Sequence, residues 1–196
     1  VGASDFASKL PGIHLNFLPV RQDLPVPAEP SAEDLEYQEE LRFWQAEETG
    51  YHAIQGTKPQ TIAYALTDSP AGLAAWIVEK FQTWSDHRGD FEGWLALDSL
   101  LTNITLYWVT GTGASTSRIY WETGRAATAS FKNPPPHMML PAAYTVFPDE
   151  LFQAPRHWVK HAYHHLVYFN EAPKGGHFAA WEEPEIFGQE LRAAFA

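Results

Sequence analysis

From residue 137 onward the apolar runs alternate in kind. Met138 to Val146 reads as a strand closed by Phe147-Pro148, and Arg156 to Tyr163 as a helix. Leu166 to Phe169 is a buried run of strand length, and Pro184 to Phe195 an amphipathic terminal helix. Strand, helix, strand, helix is the order that a parallel sheet imposes, because parallel neighbours need a long crossover between them. One more strand is expected at residues 12–18, Gly-Ile-His-Leu-Asn-Phe-Leu, where apolar and polar residues alternate before Pro19. Between that strand and the closing unit lie about 100 residues of helical pattern. The expected fold class is therefore α/β: a few-stranded parallel sheet with a large helical lid. Residues 1–20 and 127–196 would form the core, and residues 21–126 the lid.

Within the helical stretch, Pro25, Pro27 and Pro30 make residues 20–31 a linker. Ser31 is placed as an N-cap with Asp34 in the capping-box position, opening a helix from Ala32 to Glu48 that Gly50 ends. Leu35, Leu41, Phe43 and Trp44 would be its packing residues, with the acidic face exposed. Pro59 to Leu66 suits a short helix with Pro in the first turn. Pro70 to Trp84 carries Leu73, Trp76, Ile77, Lys80, Phe81 and Trp84 at the spacing of a buried helix face. Leu97 to Val109 follows as a third apolar helix, broken by Gly111-Thr-Gly113. Ser117 is expected to cap a short helix through Glu122.

Charge and composition narrow the function. Thirteen Lys and Arg against 24 Asp and Glu leave a net charge of −11. That balance argues against a nucleic-acid backbone or an anionic membrane surface as partner. No run approaches the roughly 18 apolar residues of a membrane span, and no signal-peptide pattern is visible. The absence of Cys excludes disulfides, thiolate metal sites and Cys nucleophiles. It leaves the compartment unknown, with the cytoplasm as the default expectation. Aromatic residues make up 14% of the chain, which fits either an aromatic core or an apolar substrate cavity. His161 and His165 have the i, i+4 spacing of a metal pair but lack a third ligand, so they read as an exposed helix end. Glu47, Glu48, Glu182 and Glu183 are expected to be solvated. Neither metal nor cofactor is expected.

Parallel sheets bind ligands at the C-terminal ends of their strands. One such end is followed by Asp149-Glu150, the next by a loop carrying Gly175-Gly176-His177. An acid and a histidine on neighbouring strand ends can form the orienting half of a triad, the carboxylate fixing the imidazole tautomer while the other ring nitrogen acts as base. The plainer reading is a surface acid and a loop histidine. Two glycines favour the first, since they allow a tight turn and a close approach. A nucleophile should precede this pair on a strand–turn–helix elbow. Gly-x-Ser-x-Gly is absent, and Asp5, the early carboxylate, stands too close to Gly12 to leave room for the helix.

Several motifs, in order, resemble the C-terminal part of an epoxide hydrolase of the microsomal type, within the α/β-hydrolase fold. They are Gly50-Tyr51 through Thr61, Asp68-Ser69-Pro70 through Ile77, Leu101-Thr102-Asn103 with Tyr107-Trp108, Ser117-Arg118-Ile-Tyr120, Phe147-Pro148-Asp-Glu150, and Gly175-Gly176-His177 through Glu182. The resemblance implies an aspartate nucleophile that forms an ester with an oxirane carbon, two lid tyrosines that hold the oxirane oxygen, and an acid-oriented histidine that activates water. By position the histidine is His177, the acid Glu150 rather than Asp149, and the tyrosines Tyr51 and Tyr120. A small apolar epoxide and water are the implied substrates. The Gly-Gly-Asp elbow and the earlier strands are not found in this sequence; Gly2-Ala3-Ser4 is its nearest trace. The expectation is a truncated chain, inactive alone, that either self-associates or depends on the missing N-terminal half. Two other readings stay open. One is an esterase or dehalogenase with the same acid–histidine end, and the other is a non-catalytic binding module or inert fragment.

Overall fold

The computed structural model describes residues 9–17, 29–94, 96–132 and 140–196. The expectations for Gly2-Ala3-Ser4, Asp5, Pro25, Pro27, the triple proline at 134–136 and the strand start at Met138 lie outside the described residues.

Three parallel strands form one sheet in the order β1-β2-β3: Ile13–Leu15, Ala142–Val146 and Leu166–Glu171. Every residue of β2 is buried, as a central parallel strand requires. The helix α8 (Arg156–Ala162) connects β2 to β3. After β3 come a short helix, α9 (Ala179–Glu182), and the terminal α10 (Pro184–Ala194). The loops leaving β2 and β3 run side by side: Asp149 and Gly176 form an isolated parallel bridge, and the Asp149 amide donates to the Gly175 carbonyl at 3.0 Å. That pairing extends the sheet past its strands and brings the two candidate site loops together.

The chain divides into two compact units. The first, Val1–Trp44 with Trp84–Asp86 and Pro135–Ala196, holds the sheet. Its core gathers Tyr37, Tyr144, Val146, Phe152, Ala154 and Val159, with Phe17, Trp44 and Phe169 packed against them. Glu190 of α10 binds the sheet through polar contacts. Its carboxylate accepts from Thr145 of β2 (2.8 Å) and from Tyr168 (2.9 Å) and Asn170 (2.8 Å) of β3, and Thr145 is in turn bonded to His14 of β1 at 2.9 Å. A single carboxylate thus ties the helix to two strands directly and to the third through Thr145.

Helix α1 (Ala32–Phe43) carries the expected capping box: the Asp34 amide donates to Ser31 Oγ, and the Ser31 amide to Asp34 Oδ2. Leu41 and Trp44 pack against the core as expected, but the buried face of the helix is rotated from the expected one. Asp34 and Tyr37 are buried, whereas Leu35 and Phe43 are exposed. The cause is Asp34, whose Oδ1 accepts from His157 and Trp158 of α8 and so turns that side of the helix inward. Burial pushes the Asp34 carboxyl up, but the hydrogen bonds from Trp158, Ser31 and His157 outweigh it and hold the group at about 2. The expected helix to Glu48 is also corrected. It changes at Trp44 to a π-helical turn ending at Glu48, and Gly50 opens the next helix instead of ending this one. Thr49 alone separates them, its hydroxyl donating back to the Gln45 carbonyl at 2.7 Å.

The second unit, Gln45–Thr83 with His87–Pro134, is helical. It contains α2 (Gly50–Thr57), α3 (Pro59–Asp68), most of α4 (Pro70–Trp84), α5 (Phe91–Trp94), α6 (Leu97–Thr110) and α7 (Gly113–Lys132). Helices α2, α3 and α7 pack together. Ser69 Oγ accepts the Gly72 amide at 3.0 Å and starts α4. Gly111 ends α6 in the left-handed conformation, φ 63°. The expected cap at Ser117 is corrected: α7 begins at Gly113, and Ser117 lies inside it, fully buried, with its hydroxyl donating to the Gly113 carbonyl at 2.9 Å. A serine whose hydroxyl bonds back four residues is not free to cap. Among the described residues no helix is long and apolar enough to cross a membrane.

Candidate active site

The acid and the histidine meet. His177 Nδ1 lies 2.7 Å from Glu150 Oε1. A carboxylate can only accept, so Nδ1 carries the proton and Nε2 is left as the basic nitrogen. The same Oε1 accepts the Leu151 amide at 2.8 Å. Glu150 is 7% exposed, and its Oε2 has no hydrogen-bond partner among the described residues. Asp149, the neighbouring acid, is exposed and pairs through its backbone with the other loop. The Glu150 amide donates to the Phe147 carbonyl at 3.2 Å, closing a turn that leaves Asp149 exposed and Glu150 buried.

The histidine loop owes its path to the two glycines. Gly175 has φ 112°, a conformation that side chains resist. A Cβ on Gly176 would stand 2.9 Å from the Trp84 carbonyl and 3.0 Å from the Asp86 amide. The imidazole is held by edge contacts with Phe17 (5.2 Å), Trp84 (5.1 Å) and Phe178 (5.1 Å). A hollow of about 360 Å³ adjoins it, lined by Asn16, Phe178, Trp181 and Phe187 among others.

Tyr51 on α2 and Tyr120 on α7 meet in the helical unit, with rings 5.6 Å apart and nearly perpendicular. Their hydroxyls are hydrogen-bonded to each other. Burial, then the neighbouring Tyr120, pushes the Tyr51 phenol up to about 12; burial also raises Tyr120. Both are therefore neutral O–H donors throughout the neutral range. Lys80 sits 5.1 Å from the centre of the Tyr51 ring. Two hydroxyls in mutual contact can both reach a single oxygen placed between them.

Three glutamates expected in solvent are engaged. Glu48 pairs with Lys80 at 3.3 Å, and Glu183 with Lys174 at 2.7 Å. Glu182 accepts backbone amides from Asp86, Gly176 and Phe178. Each partner is set by tertiary structure, apart from the Phe178 amide. That contact had a signal, a Glu four residues after the first residue of a helix start, but Phe178 is not a usual capping residue. His161, His164 and His165 are exposed, and among the described residues no group of three or more His, Asp or Glu could hold a metal.

Compared with known proteins, the chain is 46% identical over 191 residues to a protein of Stigmatella aurantiaca (strain DW4/3-1) that carries the epoxide hydrolase name. It is 43% identical over 151 residues to Epoxide hydrolase 1 of Sus scrofa. The chain is similar to the C-terminal part of an epoxide hydrolase. Among solved structures, juvenile hormone epoxide hydrolase from the silkworm Bombyx mori aligns with a TM-score of 0.84 at 31% identity, over 98% of this chain and 50% of that one. Aspergillus niger epoxide hydrolase aligns at 0.79 and 28%, over 98% of this chain and 47% of that one. The small parallel sheet with its helices matches the C-terminal portion of these α/β-hydrolase folds. The matches cover 95% and 74% of this chain but 41% and 33% of the Stigmatella and pig proteins, so the chain spans well under half the length of these epoxide hydrolases. No family model matches.

Proposed function

We propose that this chain supplies the acid, the base and the oxirane-oxygen donors of an enzyme that hydrolyses small apolar epoxides to vicinal diols. The observation that carries the reading is the 2.7 Å contact between Glu150 and His177. In the proposed reaction an aspartate carboxylate attacks an oxirane carbon, and the C–O bond breaks with its electron pair going to oxygen. The Tyr51 and Tyr120 hydroxyls donate to that oxygen as charge develops, where donors are most effective. His177 Nε2 then takes a proton from water, whose oxygen attacks the ester carbonyl, and the Glu150 carboxylate steadies the imidazolium. As the ester C–O bond breaks, the imidazolium proton and the second proton of the water pass to the ester and oxirane oxygens, the neutral diol leaves, and the aspartate carboxylate and neutral His177 are regenerated. We assign residues 21–126 the part of a lid, apart from the stretches up to Trp44 and Trp84–Asp86 that group with the sheet, and residues 1–20 and 127–196 that of the core. No described residue is assigned as nucleophile; that aspartate is proposed to come from polypeptide outside these 196 residues. The phenol pair favours this chemistry over an esterase or dehalogenase, because an oxirane oxygen needs such donors and an ester oxyanion takes its hydrogen bonds from backbone amides.

Grafting tests the proposal. The chain alone is expected to form no diol from a styrene-oxide-type substrate. Placed in the Stigmatella relative instead of the matching segment, it is expected to support diol formation, and His177→Gln in the graft to lower turnover by about 10³-fold. Full activity with His177→Gln would overturn the assignment.

We further propose that the isolated chain self-associates. Among the described residues β1 and β3 each have one unpaired edge, and Leu97, Leu106 and Val109 of α6 are well exposed. Unpaired edges and apolar patches promote association. Sedimentation velocity is expected to show species larger than the monomer; a single compact monomer at micromolar concentration would refute this.

A further inference from the structure

We propose that Glu182 is the positioning residue that keeps His177 within reach of Glu150. The inference rests on the reading of His177 as the base. Glu182 Oε2 accepts the amides of Gly176 and Asp86, each at 2.8 Å, and Oε1 accepts the amide of Phe178 at 2.7 Å. Gly176 and Phe178 are the residues on either side of the histidine. The His177 amide donates to the Trp84 carbonyl at 3.0 Å, and the Gly175 amide to Asp86 Oδ2 at 3.0 Å. Four successive amides, from Gly175 to Phe178, are thus all bound by Glu182 or by the Trp84–Asp86 segment.

The arrangement matters because neither glycine has a side chain of its own to anchor the loop. Two successive glycines can follow many backbone paths, and the one adopted passes through φ 112° at Gly175. Hydrogen bonds from amides to a carboxylate are charge-assisted and stronger than those to a neutral acceptor. Three of them on one side chain select this path over the alternatives. The Asp86 bond does a second task. It ties the same carboxylate to the segment whose Trp84 carbonyl holds the histidine amide and whose Trp84 ring faces the imidazole at 5.1 Å. Backbone and ring of His177 are therefore located by one carboxylate and one three-residue segment. Loss of Glu182 would let the loop sample paths on which Nδ1 no longer meets Glu150, although Glu182 touches neither ring nitrogen.

The test uses the 196-residue chain labelled with ¹⁵N, with the His177 ring signals among the nine histidines assigned by their loss in His177→Gln. In the parent the ¹⁵N shifts of His177 should report a proton on Nδ1. Glu182→Gln keeps the shape but turns an amide NH₂ toward backbone donors. It is expected to move His177 to a mixture of tautomers and to speed hydrogen exchange of the Gly176 and Phe178 amides at least tenfold. Glu182→Asp, which retains the charge, should recover part of the Nδ1–H signature. Glu190→Gln, a buried carboxylate elsewhere, should lower stability and leave that signature in place. Parental ring shifts and exchange rates in Glu182→Gln would overturn the proposal. So would random-coil exchange of Gly176, His177 and Phe178 in the unmutated chain, a measurement that needs no variant to fold. Glu150→Gln separates the two ideas: if it leaves the His177 ring shifts unchanged, the acid–base reading fails, whatever Glu182 does.

Discussion

Phenylalanine at both positions 51 and 120 is expected to lower epoxide turnover by the grafted enzyme about 10²- to 10³-fold, chiefly in kcat. The exchange removes two hydroxyls and little else. The perpendicular ring pair, 5.6 Å between centres, can persist in Phe–Phe form, so the helices need not repack. What disappears is the proposed pair of donors for an oxygen that gains charge only as the ring opens. Interactions made chiefly in the transition state show up in kcat rather than in KM. Each single change is expected to cost less, about tenfold, because the remaining hydroxyl loses its partner and becomes free to turn to the substrate. The raised pKa values of both phenols bear on the pH profile. With Tyr51 up to about 12, the neutral donor form persists well above the usual tyrosine range, so no alkaline loss of activity from this group is expected below pH 10. Steady-state kinetics with a styrene-oxide-type substrate, set beside an aryl ester, decide the matter. A double variant within threefold of the parent on the epoxide would transfer the case to the esterase reading.

The second large effect concerns stability. Glu190→Ala is expected to destabilise the chain by about 3 to 5 kcal/mol, since removing the acceptor of a buried network strands its donors. Those donors are the Thr145 and Tyr168 hydroxyls and the Asn170 amide, at 2.8, 2.9 and 2.8 Å from the carboxylate. Glu190 is 8% exposed and Thr145 fully buried, so water cannot readily replace it. Tyr168→Phe removes one donor and leaves the acceptor two others; about 1 kcal/mol is expected. Urea unfolding at one fixed protein concentration measures both. An alanine variant within 1 kcal/mol of the parent would mean that the carboxylate's own desolvation cancels its bonds.

The candidate site was legible in the sequence to the extent that parallel-sheet order makes it so. Two strand ends, one followed by Asp149-Glu150 and one by Gly175-Gly176-His177, become neighbours in any sheet that pairs those strands, and the Asp149–Gly176 bridge is that neighbourhood. Which of the two acids turns inward was not readable from spacing; the family resemblance pointed to Glu150. The rotation of α1 was misread because apolar count favoured Leu35 and Phe43, while the deciding contact is made by a polar residue to α8, more than a hundred positions away. Ser117 looked like a cap because side chain and spacing allowed it, yet α7 had already begun at Gly113. The Asp86 contact of Glu182 and the Lys80 contact of Glu48 were invisible for a related reason: these partners lie 96 and 32 residues away in the chain. Burial of a lone charge is decided by such partners, and no periodicity records them.

Trp84–Asp86 belongs to the sheet unit although the chain on both sides of it is helical-unit sequence. Recombination between related enzymes would meet this as a hidden junction. A donor fragment spliced in as one block from 45 to 134 replaces the tripeptide along with its surroundings, and the recipient's imidazole then depends on a foreign carbonyl. Crossovers on both sides of the tripeptide would keep it with the loop it serves.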